Sequence, residues 1–152
     1  MRFEGSCHCR NITFTLDWGG TPARIPARAC DCTFCAKHGG VWTSSPSGTL
    51  DVHIAEPGLR SEYRFGTGTA VFHLCTRCGV VPLVTSEIEG QTYAVVSVNA
   101  LEGVAPEMLD RAPASFGEED VRTRLARRQR GWIPNVRFGA KAAGVPAAPG
   151  RP

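Results

Sequence analysis

The sequence predicts a mainly β, sandwich-like domain with one short C-terminal helix, on three observations. Apolar and polar residues alternate along Ile12, Phe14, Leu16 and Trp18, the period of a half-buried strand. Short apolar segments recur up to residue 98 with turn-rich pieces between them, such as SSPSG, EPG and GTGT. Before residue 100 there is almost no helical periodicity, which favours an all-β layering.

The elements follow in order. A first strand runs from 12 to 18 and is closed by Gly19-Gly20. Further extended segments are expected at 25–31, 40–44, 50–55, 62–65, 70–75, 80–86 and 92–98, with Glu89-Gly90 reading as a hairpin turn. One helix is expected over 117–129, where Glu118, Glu119 and Asp120 suit the N-terminal end of the dipole and Arg127, Arg128 and Arg130 the C-terminal end. Its apolar face is thin, chiefly Val121 and Leu125. Trp132 to Phe138 is expected to pack in extended form, completing a single domain over 1–138, and the Ala- and Pro-rich stretch 139–152 reads as a disordered tail.

Composition narrows the class. The chain of 152 residues is 42% hydrophobic and 20% charged, enough for one core and too apolar for a disordered tract. Runs such as VVPLV fall far short of a membrane span, and no apolar stretch follows the first arginine, so a cytoplasmic location without a membrane partner is expected. The net charge of +3 hides an uneven distribution: residues 1–120 are acidic on balance, while residues 121–152 carry basic side chains and no acidic ones. Arg122, Arg124, Arg127, Arg128 and Arg130 crowd one short segment. Without interleaved aromatic residues this run argues against nucleic acid; it reads as a solvated helix end, or as a lure for an anionic thiol.

The seven cysteines carry the chemistry. They fall as Cys7-x-Cys9, Cys30-x-Cys32-x-x-Cys35 and Cys75-x-x-Cys78-Gly79, and in a reducing compartment such clusters bind metal more often than they form disulfides. A C-x-C pair on a strand points both sulfurs to one face, and a C-x-x-C turn ending in glycine does the same. Zinc takes four ligands in a structural site and keeps three plus an open position in a catalytic one. Spacing therefore favours Cys7, Cys9, Cys75 and Cys78 around one zinc and Cys30, Cys32 and Cys35 around a second. A zinc ribbon of Cys32, Cys35, Cys75 and Cys78 is the less economical alternative.

The motifs G-S-C-H-C, A-C-D-C-T-F-C-A-K-H-G and F-H-L-C-T-R-C-G, over roughly residues 3 to 100, resemble the glutathione-dependent formaldehyde-activating enzyme family, which includes centromere protein V. The resemblance implies the fold shared with a Rab-binding zinc protein and B-type methionine sulfoxide reductases. It implies two zinc ions per chain, with Cys7, Cys9, Cys75 and Cys78 on a structural one and Cys30, Cys32 and Cys35 as ligands of a catalytic one. It also implies a carbon–sulfur lyase that forms or cleaves an adduct between a small thiol such as glutathione and a small aldehyde such as formaldehyde. Three thiolates weaken a zinc as a Lewis acid, so binding and positioning of the thiol is the expected role. The rival reading is a non-catalytic zinc-stabilised binding module.

The histidines are less informative. His38, three residues after Cys35, reads as a loop residue near the site or a fourth ligand that would close it. His73 shares the face of Cys75, as a core residue or a hydrogen-bonding neighbour of the metal site. His8 and His53 read as surface or strand positions, and Asp31 is expected to point away from its flanking cysteines.

Overall fold

The computed structural model describes residues 1–139 and contains two sheets packed face to face. The first sheet has the order β1-β2-β5-β11, with β1 at Arg2–Ser6, β2 at Ile12–Asp17, β5 at Thr49–Ile54 and β11 at Asn135–Phe138. The second has the order β10-β3-β4-β9-β8-β7-β6. Its strands are β3 (Ile25–Cys30), β4 (Val41–Thr43), β6 (Arg60–Tyr63), β7 (Val71–Cys75), β8 (Leu83–Ile88), β9 (Gln91–Ser97) and β10 (Leu109–Ala114). Pairing is antiparallel except where β11 joins β5 and β10 joins β3. Two α-helices, α1 (Thr33–His38) and α2 (Val121–Gly131), complete the described fold.

The alternation along β2 is what the sequence indicated. Ile12, Phe14 and Leu16 are buried, and they face Ile25, Leu83 and Val96 of the second sheet in one continuous apolar core. Leu50 from β5 and Ile133 after α2 complete it, each without solvent exposure. Glu89 and Gly90, at φ of 52° and 77°, make the two-residue turn of the β8–β9 hairpin, whose twist matches that of its strands. Among the described residues no helix is long and apolar enough to cross a membrane.

Three elements lie outside the expected set. β1 has a single bulky apolar residue facing the core, Phe3, and its other inward position is Gly5, over which the cross-strand Phe14 ring folds. β10 is an exposed edge strand containing Pro113, without hydrophobic alternation of its own; its in-register pairing with β3 holds it. α1 is six residues long, too short for periodicity to reveal. The C-terminal helix begins at Val121 rather than 117, because the Asp120 carboxylate accepts the Thr123 N–H at 2.7 Å and caps it. Its expected apolar face is corrected too: Val121 is exposed, and the buried residue of the helix is Arg128. Gly139 is hydrogen-bonded to Val52, and the remainder of the expected disordered tail lies outside the described residues.

The Gly5–Phe14 contact gives a direct stability test. A Cβ at position 5 would overlap the Phe14 ring, so Gly5→Ala is expected to cost about 1–3 kcal/mol in urea unfolding. Gly20→Ala, whose Cβ meets nothing within 4 Å, is the near-neutral control.

Candidate metal centres and the adjoining cavity

Two groups of sulfurs converge, each with its members within 4.8 Å of one another: Cys7, Cys9, Cys75 and Cys78 in one, and Cys30, Cys32 and Cys35 in the other. In the four-sulfur group the Cys7–Cys9 pair lies in the turn after β1 rather than on a strand. That turn is closed by Arg10 N–H to Cys7 carbonyl and Cys7 N–H to Ile12 carbonyl bonds, both 2.9 Å. The partner turn leaves the end of β7, where Gly79 donates to the Cys75 carbonyl at 2.8 Å with a φ of 76° that only glycine adopts without strain. The Cys7 to Cys9 and Cys9 to Cys75 sulfur separations are 3.8 and 3.4 Å, far longer than a disulfide bond of about 2.05 Å. They lie near the edge of about 3.8 Å in a tetrahedron of sulfurs bonded at about 2.3 Å to a central zinc.

The thiols of this group titrate unevenly. Burial pushes Cys7 up to about 12, and burial likewise raises Cys9. At Cys78 burial is outweighed by the Cys9 and Val80 backbone N–H groups, which bring it down to about 6. Four sulfurs this close, with Cys7 and Cys75 buried and Cys9 and Cys78 half-buried, cannot all ionise against one another, and a divalent cation would remove that conflict.

The three-sulfur group is built on a strand end and a helix start. Cys30 ends β3, and Cys32 is the N-cap of α1, its sulfur accepting the Cys35 N–H at 3.4 Å. Cys35 is buried in the first turn of α1, and the Trp42 indole N–H donates to its sulfur at 3.3 Å. The chain returns through Gly40, whose carbonyl accepts the Cys30 N–H at 3.2 Å. A Cβ there would press on the Cys35 sulfur at 3.0 Å, so the close approach requires glycine. A hydrogen bond from Cys35 holds the Cys30 thiol down at about 6, and the same bond together with burial pushes Cys35 up.

The histidines stay out of both groups. His38 is exposed at the end of α1, with Nδ1 2.8 Å from the Phe34 carbonyl. His73 is buried: its Nδ1 accepts from Arg60 at 3.1 Å, and its Nε2 donates to Thr85 Oγ1 at 2.8 Å. Burial, reinforced by Arg60, lowers its pKa to about 4, so it is neutral at pH 7 and acts as a satisfied core residue. His8 is exposed in the first turn, His53 lies on β5 with Nδ1 3.2 Å from the Gly139 carbonyl, and Asp31 is exposed. Among the described residues the three-sulfur group has no fourth side-chain ligand.

Cys30, Cys32 and Cys35 open on a cavity of about 140 Å³ whose apolar floor includes Trp42, Phe72, Val84, Val95 and Trp132. Arg28, Arg124, Arg127 and Arg128 line the same space. Part of the arginine run thus turns inward, while Arg122 and Arg130 are exposed. Arg127 pairs with both oxygens of Glu119, at 2.7 and 2.9 Å, beneath a cation–π contact of 3.7 Å to Phe116. Burial lowers the pKa of Arg28 and that of Arg128, the latter to about 10, which leaves Arg128 charged at neutral pH. Trp42 and the aromatic floor carried no spacing signal. Arg28 did, since two residues before Cys30 on β3 it shares that residue's face.

The family model described as glutathione-dependent formaldehyde-activating enzyme matches residues 2–114. A curated Halomonas elongata protein named for the same family is 33% identical over 85 residues, covering 51% of this chain and 52% of the relative. The chain thus spans about half the length of that curated relative. A crystal structure of a Rhodobacter sphaeroides protein is similar with a TM-score of 0.56 and 28% identity, covering 74% of this chain and 99% of that one.

Arg127 holds the Glu119 carboxyl below the ordinary carboxylate range. The stability contributed by this pair is complete above the unfolded carboxyl value of about 4.3 and is lost as pH falls through the lowered folded value. The wild-type urea midpoint is expected to exceed that of Glu119→Gln at pH 6, with the gap narrowing as pH falls below the ordinary carboxyl value of about 4.3. A gap independent of pH would exclude the ion pair as its source.

Proposed function

Since the chain belongs to the glutathione-dependent formaldehyde-activating enzyme family, and its three-sulfur group faces a cavity without a fourth side-chain ligand, we propose that it is a zinc-dependent carbon–sulfur lyase. It forms or cleaves the adduct of a small thiol such as glutathione and a small aldehyde such as formaldehyde. The open side of the Cys30, Cys32 and Cys35 group is the observation that carries this reading. Cys7, Cys9, Cys75 and Cys78 would hold a structural zinc, and Cys30, Cys32 and Cys35 a second one. Bound by three sulfurs, zinc supplies positive charge that holds an incoming thiol in its ionised, nucleophilic form near neutral pH.

The residues of this chain provide the setting. In the forward direction a sulfur–carbon bond forms, the carbon–oxygen π bond breaks, and the thiol proton ends on the new hydroxyl. Trp42 steadies Cys35 through its N–H, and Gly40 lets α1 fold back onto β3 so that all three sulfurs meet. The aromatic floor excludes water from one side of the reacting atoms. Among the described residues the cavity lining contains no His, Asp or Glu, so the proton exchanges with water at the open mouth rather than with a side-chain base. Seven free thiols, with no disulfide among the described residues, suit a reducing cytoplasmic setting.

Metal analysis of the purified chain is expected to give two zinc ions. Cys9→Ala is expected to lose one and to lower the melting temperature by roughly 10 °C or more, because it opens the site that joins the sheets. Cys32→Ala is expected to lose the other with a small thermal shift. That variant should also lose at least roughly 100-fold in the acceleration of glutathione–formaldehyde exchange, followed by carbon-13 NMR. A folded Cys32→Ala protein that exchanges at the wild-type rate would overturn the proposal.

A further inference from the structure

Among the described residues the cavity beside Cys30, Cys32 and Cys35 is walled by four guanidinium groups and no carboxylate. Among the described residues Arg127 is the one wall arginine in ion-pair contact with a carboxylate, that of Glu119, whose charge also acts on Arg124 and Arg128 at longer range. Arg128 is 5% exposed, yet its partners are all uncharged: the Thr69 carbonyl at 3.0 Å, Thr69 Oγ1 at 2.9 Å and Ser86 Oγ at 3.1 Å, all bonded through Nη1. Its Nε is buried without any hydrogen-bond partner. Arg124 repeats the pattern, with Nη2 donating to the Phe116 carbonyl at 2.8 Å and Nε buried and unpaired. Arg28 donates through Nη2 to Ser44 Oγ at 2.6 Å and has no acidic partner among the described residues.

The single charge of Glu119 is shared among Arg124, Arg127 and Arg128, and burying more cations than anions is costly, an imbalance that an anionic ligand would relieve. The guanidinium of Arg128 lies over Trp132 at 4.9 Å, so one of its flat faces is covered, and with Nη1 engaged by Thr69 and Ser86 its uncommitted donor is Nη2. Donors from separate guanidinium groups that line one cavity can share the two oxygens of one carboxylate. Sulfurs and guanidinium groups line one continuous cavity, so a molecule that reaches the first is within range of the second.

We propose that Arg28, Arg124 and Arg128 form a carboxylate subsite, which holds an ionised carboxyl of the same thiol whose sulfur meets Cys30, Cys32 and Cys35. This assignment rests on the lyase reading above and adds to it a rule of recognition. The chain selects thiols that carry a carboxylate, and Arg124 and Arg128, one turn apart on α2, present the selecting charges from outside the segment that holds the cysteines.

The test compares four probes on the zinc-loaded full chain by calorimetric titration: glutathione, its diethyl ester, S-methylglutathione and inorganic phosphate. The ester keeps the thiol and loses both carboxylates; S-methylglutathione does the reverse. Glutathione is expected to bind about tenfold more tightly than the ester at low salt, with the ratio shrinking at about 0.5 M salt. Arg28→Gln and Arg124→Gln, each checked for native circular dichroism, are expected to weaken glutathione and S-methylglutathione while sparing the ester. Arg128→Gln is avoided as the primary variant because that side chain also supports Thr69 and Ser86. Equal affinity for glutathione and its ester overturns the subsite and leaves the thiol reading intact. Failure of both thiols to bind overturns the thiol reading and the subsite with it. Inorganic phosphate competing as strongly as S-methylglutathione overturns the assignment to a carboxylate of the thiol in favour of a general anion site.

Discussion

The architecture turns on the meeting of two turns from different sheets at Cys7, Cys9, Cys75 and Cys78. Cys7 follows β1 of the first sheet and Cys75 ends β7 of the second, and both are fully buried. With 67 residues between them in sequence, closing that loop has an entropic cost, which a metal held by all four sulfurs would offset. The consequence extends along β7. Phe72, three residues before Cys75, lies on the floor of the other cavity, and Val84 of the neighbouring β8 lies beside it. A junction at one end of this strand pair therefore helps to set the shape of the floor at the other.

The second constraint is electrostatic. α2 has little apolar surface to bury, so it docks through Arg128, whose side chain reaches Thr69 before β7 and Ser86 on β8. Asp120 caps its start, and Glu119 fixes Arg127 against Phe116. Polar docking is directional and places guanidinium groups where hydrocarbon would otherwise sit. The cavity consequently combines an aromatic floor, a sulfur cluster and a cationic wall, each supplied by a different part of the chain. The positive charge of the C-terminal segment, which in the sequence is only a run of arginines, acquires a direction.

Much of this was legible in the sequence. The alternation of Ile12, Phe14 and Leu16, the recurrent turn residues and the Glu89-Gly90 hairpin report on local backbone and on which face is apolar, and both are encoded within a few residues. The grouping of cysteines was legible because C-x-C and C-x-x-C spacings make two sulfurs converge through local geometry. What escaped was held by distant partners. β10 exists because β3 has a free edge, β1 because Phe14 covers Gly5, and α1 because Cys32 caps it and Gly39 ends it. Each lacks the length or the hydrophobic pattern that would mark it alone.

The sequence by itself therefore determined the β class, the split of seven cysteines into local groups and the concentration of arginine near the C-terminus, since all three are properties of neighbouring residues. Only the tertiary structure decided that Cys7 and Cys9 meet Cys75 and Cys78, that His38 and His73 stay out of the sulfur groups, and that Arg124 and Arg128 face the same cavity as Cys30, Cys32 and Cys35. The physical reason is that ligand sets and charge fields depend on distance in space. Two packed sheets and a docked helix bring together residues that no local period relates.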